Sequence, residues 1–278
     1  MEDIQVEIGT EEQWRRIDDR VPGALHAFNS YADLTVQVAK TSVNVENLAE
    51  EIIFGLSRVC IEESQEILLL AANEYPSGAA KLLRSLYERT VTLLYIRTHP
   101  EKSERFRLYA AIQEHRAAAA ARKLFSDEQL DATWKEVTIA NVEENYKRAK
   151  GEFQRTKCKK CKTTETAHTW DVDLATMAER VGEGMTELYL SSYSLPTLHA
   201  HSTFASAYQN MTSSETSVIY SFQASPVKID LCVLQVFTLT HRVLRAIVEL
   251  FKLPLQQDVN AFGDAVHALW QVKRLSAS

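Results

Sequence analysis

The sequence predicts an all-α fold, a single-domain bundle of long helices with a helical and looped insertion near residues 127–171. Three observations predict it. Only 8 Gly and 6 Pro occur in 278 residues, too few for the many tight turns of a sandwich or barrel. Strong helix formers, Ala, Leu, Glu and Lys, fill the long segments between those breakers. Within the segments, apolar residues recur at the spacing of one helical face. Hydrophobic residues make up 45% and charged residues 24%, which supplies a buried core and argues against disorder.

Taken in order, Thr10 with Glu11 and Glu12 reads as a helix start, a cap hydroxyl followed by acids that complement the dipole. That helix runs to about Arg20, and Val21-Pro22-Gly23 separates it from a helix over 24–43. Residues 44–73 form a long amphipathic helix carrying Ile52, Leu56, Val59, Ile67 and Leu70, with Glu63 a polar intrusion on its stripe. Residues 77–98 place Leu83, Leu86, Tyr87, Thr90 and Leu94 on one apolar arc. Arg84 and Glu88 stand at the edge of that arc, on a stripe with Val91 and Tyr95, and are expected to point inward; Ser85, Arg89 and Thr92 fall on the opposite, wet face.

His99-Pro100 stops this helix and 101–125 forms the next, with an Ala run at 117–121 that permits close packing. Ser126-Asp127-Glu128 opens a charged helix expected to reach about Phe153, and 155–170 reads as a basic loop. Short helices follow from Asp173, through ELYLSSYS at 187–194, and from Pro196. Residues 210–224 read as a Ser/Thr-rich linker. Pro226 then opens a helix to about Phe251 that is apolar on nearly all sides and belongs at the centre, and 258–272 is the last amphipathic helix. Residues 1–45 are expected to pack on the core as an N-terminal helical segment, and 46–278 to form the main domain.

Net charge is −6, so the mean field does not draw the chain to nucleic acid or anionic lipid. The N-terminal stretch is acidic and lacks the basic start and apolar run of a targeting peptide. The most apolar stretch, Val227 to Leu250, contains Asp230, His241, Arg242 and Arg245, which argues against a membrane span. Cys60, Cys158, Cys161 and Cys232 lack the regular spacing of a disulfide framework and read as reduced thiols. A cytoplasmic location is the expectation, with no membrane partner.

Four constellations carry chemistry. Arg84 and Glu88, one turn apart, can pair either as a structural strut or as part of a site. His199 and His201, at i and i+2, point about 200° apart on a helix, so only one of them can share a site there. A convergence of Arg84, Glu88 and one imidazole would combine an anion-holding cation with a proton-transfer group; the plain alternative is a satisfied polar core around a helix break. Cys158-x-x-Cys161 with His168 supplies three zinc-type ligands without a fourth, and four neighbouring lysines suit an exposed loop equally well. No other cofactor is expected. His241 and Arg245 form an i, i+4 pair on the apolar C-terminal helix, with Glu249 one turn further, where a polar intrusion is costly.

Three segments, KLLRSLYERTVTLLYI at 81–96, TWDVDLATMAERVG at 169–182 and YLSSYSLPTLHAHSTFAS at 189–206, resemble a bacterial helical family of unknown function, DUF5677, over about residues 50–250. The resemblance implies a helical fold and a shared polar site, and implicates Arg84, Glu88, Trp170, Tyr193, Ser194 and His201, with His199 as competitor. Ser202 and Tyr95 are added as ligand contacts. A looser likeness to HEPN ribonucleases of defence systems fails on spacing, because neither Arg84 nor Arg89 is followed by a His on its own helix. The leading expectation is an effector of a bacterial stress or phage-defence system. In it Arg84, Glu88 and His201 handle a phosphate-containing ligand such as RNA or a nucleotide, as a metal-independent ribonuclease or phosphoester hydrolase would. The alternative is a non-catalytic interaction protein whose 127–171 arm binds a protein partner. Long apolar helices also make a homodimer an expected partner state.

Overall fold

A computed structural model describes residues 10–134, 138–158, 163–201, 203–208, 211–214, 216–220 and 225–275. In chain order these form α1 (Glu11–Arg20), α2 (Ala24–Lys40), α3 (Leu48–Ala72), α4 (Pro76–Thr98), α5 (Ser103–Ala121), α6 (Asp127–Thr133) and α7 (Ile139–Ala149). A hairpin of β1 (Gln154–Cys158) and β2 (Thr163–Thr166) comes next, followed by α8 (Leu174–Val181) and α9 (Met185–Tyr189). A π-helical turn over Leu190–Ser194 runs into α10 (Leu195–Ala200) and α11 (Phe204–Tyr208). The strands β3 (Met211–Ser213) and β4 (Val218–Tyr220), α12 (Pro226–Leu250) and α13 (Gln256–Leu275) complete the chain. The all-α class holds, the two antiparallel hairpins being its only strands among the described residues.

The helix starts follow local chemistry. Thr10 Oγ1 accepts from Gln13 N, Asn47 Oδ1 from Glu50 N, and Ser126 with Gln129 closes a capping box. Pro76 and Pro226 sit at helix starts, where the missing N–H has no intrahelical partner to lose.

Two compact units result. One comprises the chain up to Thr98 and from Leu174 onward; the other is His99–Asp173. In the first, α3 and α4 pack on each other, α12 lies on both and on α13, and α2 packs on α13. Helix α8, the π turn and α10 pack on α4. By length and composition α12 could cross a bilayer, yet most of it is buried inside the bundle, as befits a core helix. In the second unit α5 packs on α7 around Ala118, Leu130, Ile139 and Val142.

Three sequence expectations need correction. The helix expected from 128 to 153 is two helices, because Thr138 caps a new start and Asp131 Oδ1 accepts from Ile139 N at 2.7 Å. The expected basic loop and Ser/Thr linker each contain a β-hairpin; their strands, three to five residues long, are too short to show an alternating pattern. Arg89, expected on a wet face, is half-buried and donates to Glu63 and Ser85, because α4 is enclosed by α3 on that side. Glu63, the polar intrusion on α3, is thereby a buried partner of Arg89.

A buried carboxylate ties the first unit together. Asp230 on α12 is 1% exposed; Arg20 of α1 donates to it through Nε at 3.1 Å and Nη2 at 2.9 Å, and Lys273 of α13 donates at 3.1 Å. Cys60 and Cys232 are free and buried, and burial pushes both thiols up to about 12, so they stay protonated at neutral pH.

Candidate functional site

Helix α12 carries six of its polar side chains along one stripe: Lys228, Gln235, Thr238, His241, Arg242 and Arg245, at three- and four-residue steps or their sum. Facing its C-terminal half, α13 contributes Asn260, Gly263, Asp264, His267 and Trp270, and together they line an open cleft of about 560 Å³. A second cavity of about 380 Å³ shares Thr238, Arg242, His267 and Trp270 with it and adds Gly184, Glu187, Leu188 and Ser191 from the α9 side.

The turn before α9 builds one wall. Gly182, Glu183 and Gly184 all adopt left-handed backbone (φ +68, +53 and +76). Glycine accepts this without strain, but Glu183 bears a cost of roughly 1–2 kcal/mol. The conformation presents the Glu183 carboxylate to α12, where Arg245 pairs with it and Arg242 Nη1 stands 4.0 Å away. Both guanidiniums therefore reach Glu183, and Arg245 Nε also stands 3.9 Å from Glu249, one turn further along α12. Arg242 Nε is buried and has no hydrogen-bond partner among the described residues. Burial first, then the like charge of Arg245, holds the Arg242 pKa below its ordinary value, with Glu183 opposing.

His241 records the same field. Its pKa falls to about 4, first through burial, then through Arg242 and Arg245; Asp264 and hydrogen bonding to the Val259 backbone pull the other way and lose. The ring fits only because residue 263 is glycine: a Cβ there would lie 2.5 Å from His241 Nε2. Trp270 is fixed by its Nε1, which donates to Thr238 Oγ1 at 2.8 Å.

A buried neutral histidine makes stability depend on pH. Above pH 6.5 the ring is neutral whether the chain is folded or not. As pH falls from 6.5 to about 4, the unfolded chain takes up a proton that the folded one refuses, so stability falls by up to about 3 kcal/mol. Urea unfolding of the wild type and of His241→Gln, compared at pH 7 and pH 4.5, should show this loss in the wild type beyond that of the variant. Equal losses would mean that His241 titrates normally.

The family profile described as a family of unknown function, DUF5677, matches residues 50–218, well over half of the chain. The chain belongs to the DUF5677 family. No curated protein and no solved structure matches it. The DUF5677 match begins inside α3, includes the 182–184 turn and ends at the first residue of β4. The cleft thus takes Glu183 and Gly184 from the matched part and α12 with α13 from beyond it.

The residues expected from the DUF5677 resemblance are distributed differently. Arg84 and Tyr193 do meet, the guanidinium carbon 5.2 Å from the ring centroid, in the aromatic setting of Tyr87 and Tyr189. Arg84 Nε is buried and unpartnered among the described residues, as is the hydroxyl of Ser192 in the π turn. The expected inward Arg84/Glu88 pair is not formed: Arg84 is half-buried, Glu88 is exposed, and no ion pair joins them among the described residues. Tyr193 takes the place beside Arg84 that was expected of the carboxylate.

Ser194 is half-buried at the end of the π turn. His201 is exposed just past the end of α10. The His199 side chain and Ser202 lie outside the described residues. Tyr95 is buried and accepts a hydrogen bond from Arg180 at 3.0 Å; eleven residues along α4 separate it from Arg84 by roughly 16 Å, so it cannot serve the same ligand atom. Trp170 is buried edge-on against Phe106 in the second unit, and its carbonyl accepts from Arg105.

Of the expected zinc ligands, Cys161 and the Cys158 side chain lie outside the described residues, and His168 is exposed. Among the described residues no group of three or more His, Cys, Asp and Glu is placed to hold a metal.

Sequence reasoning missed Arg242, Glu183, Asp264, His267 and Trp270. It did single out His241 and Arg245. The missed signal was Gly-Glu-Gly at 182–184, where two glycines around an acid permit a left-handed turn.

Proposed function

We propose that this DUF5677 protein binds a small phosphate-containing ligand in the α12–α13 cleft. Arg242 and Arg245 act as donors, and His241 is a neutral hydrogen-bonding neighbour. The observation that carries this is the buried, unpartnered Nε of Arg242 beside a second guanidinium, with Glu183 the only carboxylate in ion-pair range of Arg242 among the described residues. A desolvated donor of this kind is costly without a partner and strong toward an anion.

Asp264 and Glu187 also line the cavities and would repel a polyanion. A ligand with one or two charges, such as a phosphomonoester, suits this balance better than an RNA strand. At neutral pH a group whose pKa is about 4 neither donates a proton nor competes well for one, which favours binding over hydrolysis. An anion held near His241 would stabilise the imidazolium, so the affinity for sulfate, whose charge is fixed over this range, should rise as pH falls from 7 toward 5. Calorimetric titration with inorganic phosphate and glycerol 3-phosphate at pH 7, and with sulfate at pH 7 and 5, tests this. Saturable phosphate binding with sulfate binding that tightens at pH 5 supports the reading; no heat at millimolar phosphate refutes it.

A further inference from the structure

A third cavity, about 180 Å³ and mostly apolar, lies beside the second, walled by Pro76, Ala80, Leu83, Leu195 and Leu231. Its wall shares Ser191, Leu231 and Gln235 with the cavity that runs to Arg242. The three cavities thus follow one stripe of α12, apolar toward Leu231 and cationic toward Arg242 and Arg245. From Gln235 to Arg242 the stripe is roughly 10 Å long.

From this gradient we infer that the ligand is a single-chain amphiphile: its phosphate head is held by Arg242 and its hydrocarbon tail lies along α12 into the apolar cavity. The inference rests on the anion reading above and adds the tail. An apolar cavity of this size holds on the order of six methylene groups, each close to the volume of a liquid water molecule. The mixed wall between the two ends, with Leu188 and Leu231 beside Gln235 and Thr238, is bridged by a chain of about eight carbons. Lys228 also lines the apolar cavity. A head placed there would reverse the ligand, but it would gain a solvated ammonium instead of a buried, unpartnered guanidinium donor.

The test titrates the full chain with inorganic phosphate and with butyl, octyl, decyl and dodecyl phosphate below their micelle concentrations, with decanol as the uncharged control. Butyl phosphate is expected to bind much like inorganic phosphate. Affinity should then climb steeply from octyl to dodecyl, at about fourfold per methylene. Leu195→Asp, at a position 46% exposed, should flatten that climb, and Ala80→Leu should stop it at shorter chains. Vesicles with an anionic phospholipid, whose tails stay in the bilayer, should not bind.

Affinity independent of chain length while phosphate still binds overturns the inference and leaves the anion reading standing. Failure of every phosphate overturns both. Decanol binding as tightly as decyl phosphate, or loss of decyl phosphate binding in Lys228→Gln but not in Arg242→Met, also overturns it, as does binding to vesicles but not to monomers.

Discussion

Asp230→Ala is expected to destabilise the protein by roughly 3 kcal/mol, lowering Tm on the order of 10 °C. The carboxylate is 1% exposed and holds two cations, Arg20 and Lys273, whose side chains keep 33% and 20% of their surface in water. Removing it strands both on a partly buried face and unties α1 and α13 from α12. The exposure of the cations puts the loss at the low end of the range for a broken buried pair. Replacing all three together, with Asp230→Leu, Arg20→Met and Lys273→Met, should recover most of the loss, since an apolar replacement needs no desolvated charge. Thermal and urea unfolding of the single and triple variants check this. A single variant within about 0.5 kcal/mol of wild type would show the network to be inert.

Arg242→Met is expected to do the opposite. It should leave Tm unchanged or slightly raised, because it removes a buried Nε without a partner and relieves repulsion with Arg245, while methionine keeps the apolar stem. Phosphate affinity should fall about 10- to 100-fold, the worth of one or two charge-assisted hydrogen bonds. Arg84→Met, a variant of the arginine that the family resemblance favours, provides the contrast: its guanidinium lies on Tyr193, and its loss should leave phosphate affinity unchanged. If instead Arg84→Met abolishes binding and Arg242→Met does not, the site lies at the π turn.

These contrasts also mark what could be read from the sequence. The long helices were legible because breakers and caps such as Ser126 and Pro226 stand where a helix begins, but the face of α3 was not. Of Ile52, Leu56, Val59, Ile67 and Leu70 only Ile67 is buried, and Val59 is exposed, because the helix turns Ile53, Cys60, Ser64 and Leu68 inward instead. Arg89 was misplaced because a helical wheel has two sides, whereas α4 is enclosed by α3, by α12 and by the α8–α10 segment. Such enclosure is a tertiary fact. Asp230 looked like a charge interrupting an apolar run; its partners lie 210 and 43 residues away in the chain, beyond any periodicity. His241 and Arg245 were visible as polar intrusions on a central helix. Glu183 and Asp264 were not, since their roles depend on a left-handed turn and on the α12–α13 register. The motif residues of the resemblance were found as a pattern, but Glu88 turns outward and Tyr193 takes its place beside Arg84.

The most direct measurement of the central claim is a crystal structure grown with tungstate, an oxyanion with phosphate's shape whose heavy atom scatters strongly enough to be located without bias. The account predicts the anion between α12 and α13, within hydrogen-bond distance of Arg242 Nε and beside Arg245. Tungstate bound at Arg84 and Tyr193, or an empty α12–α13 cleft in crystals that bind it elsewhere, would contradict it.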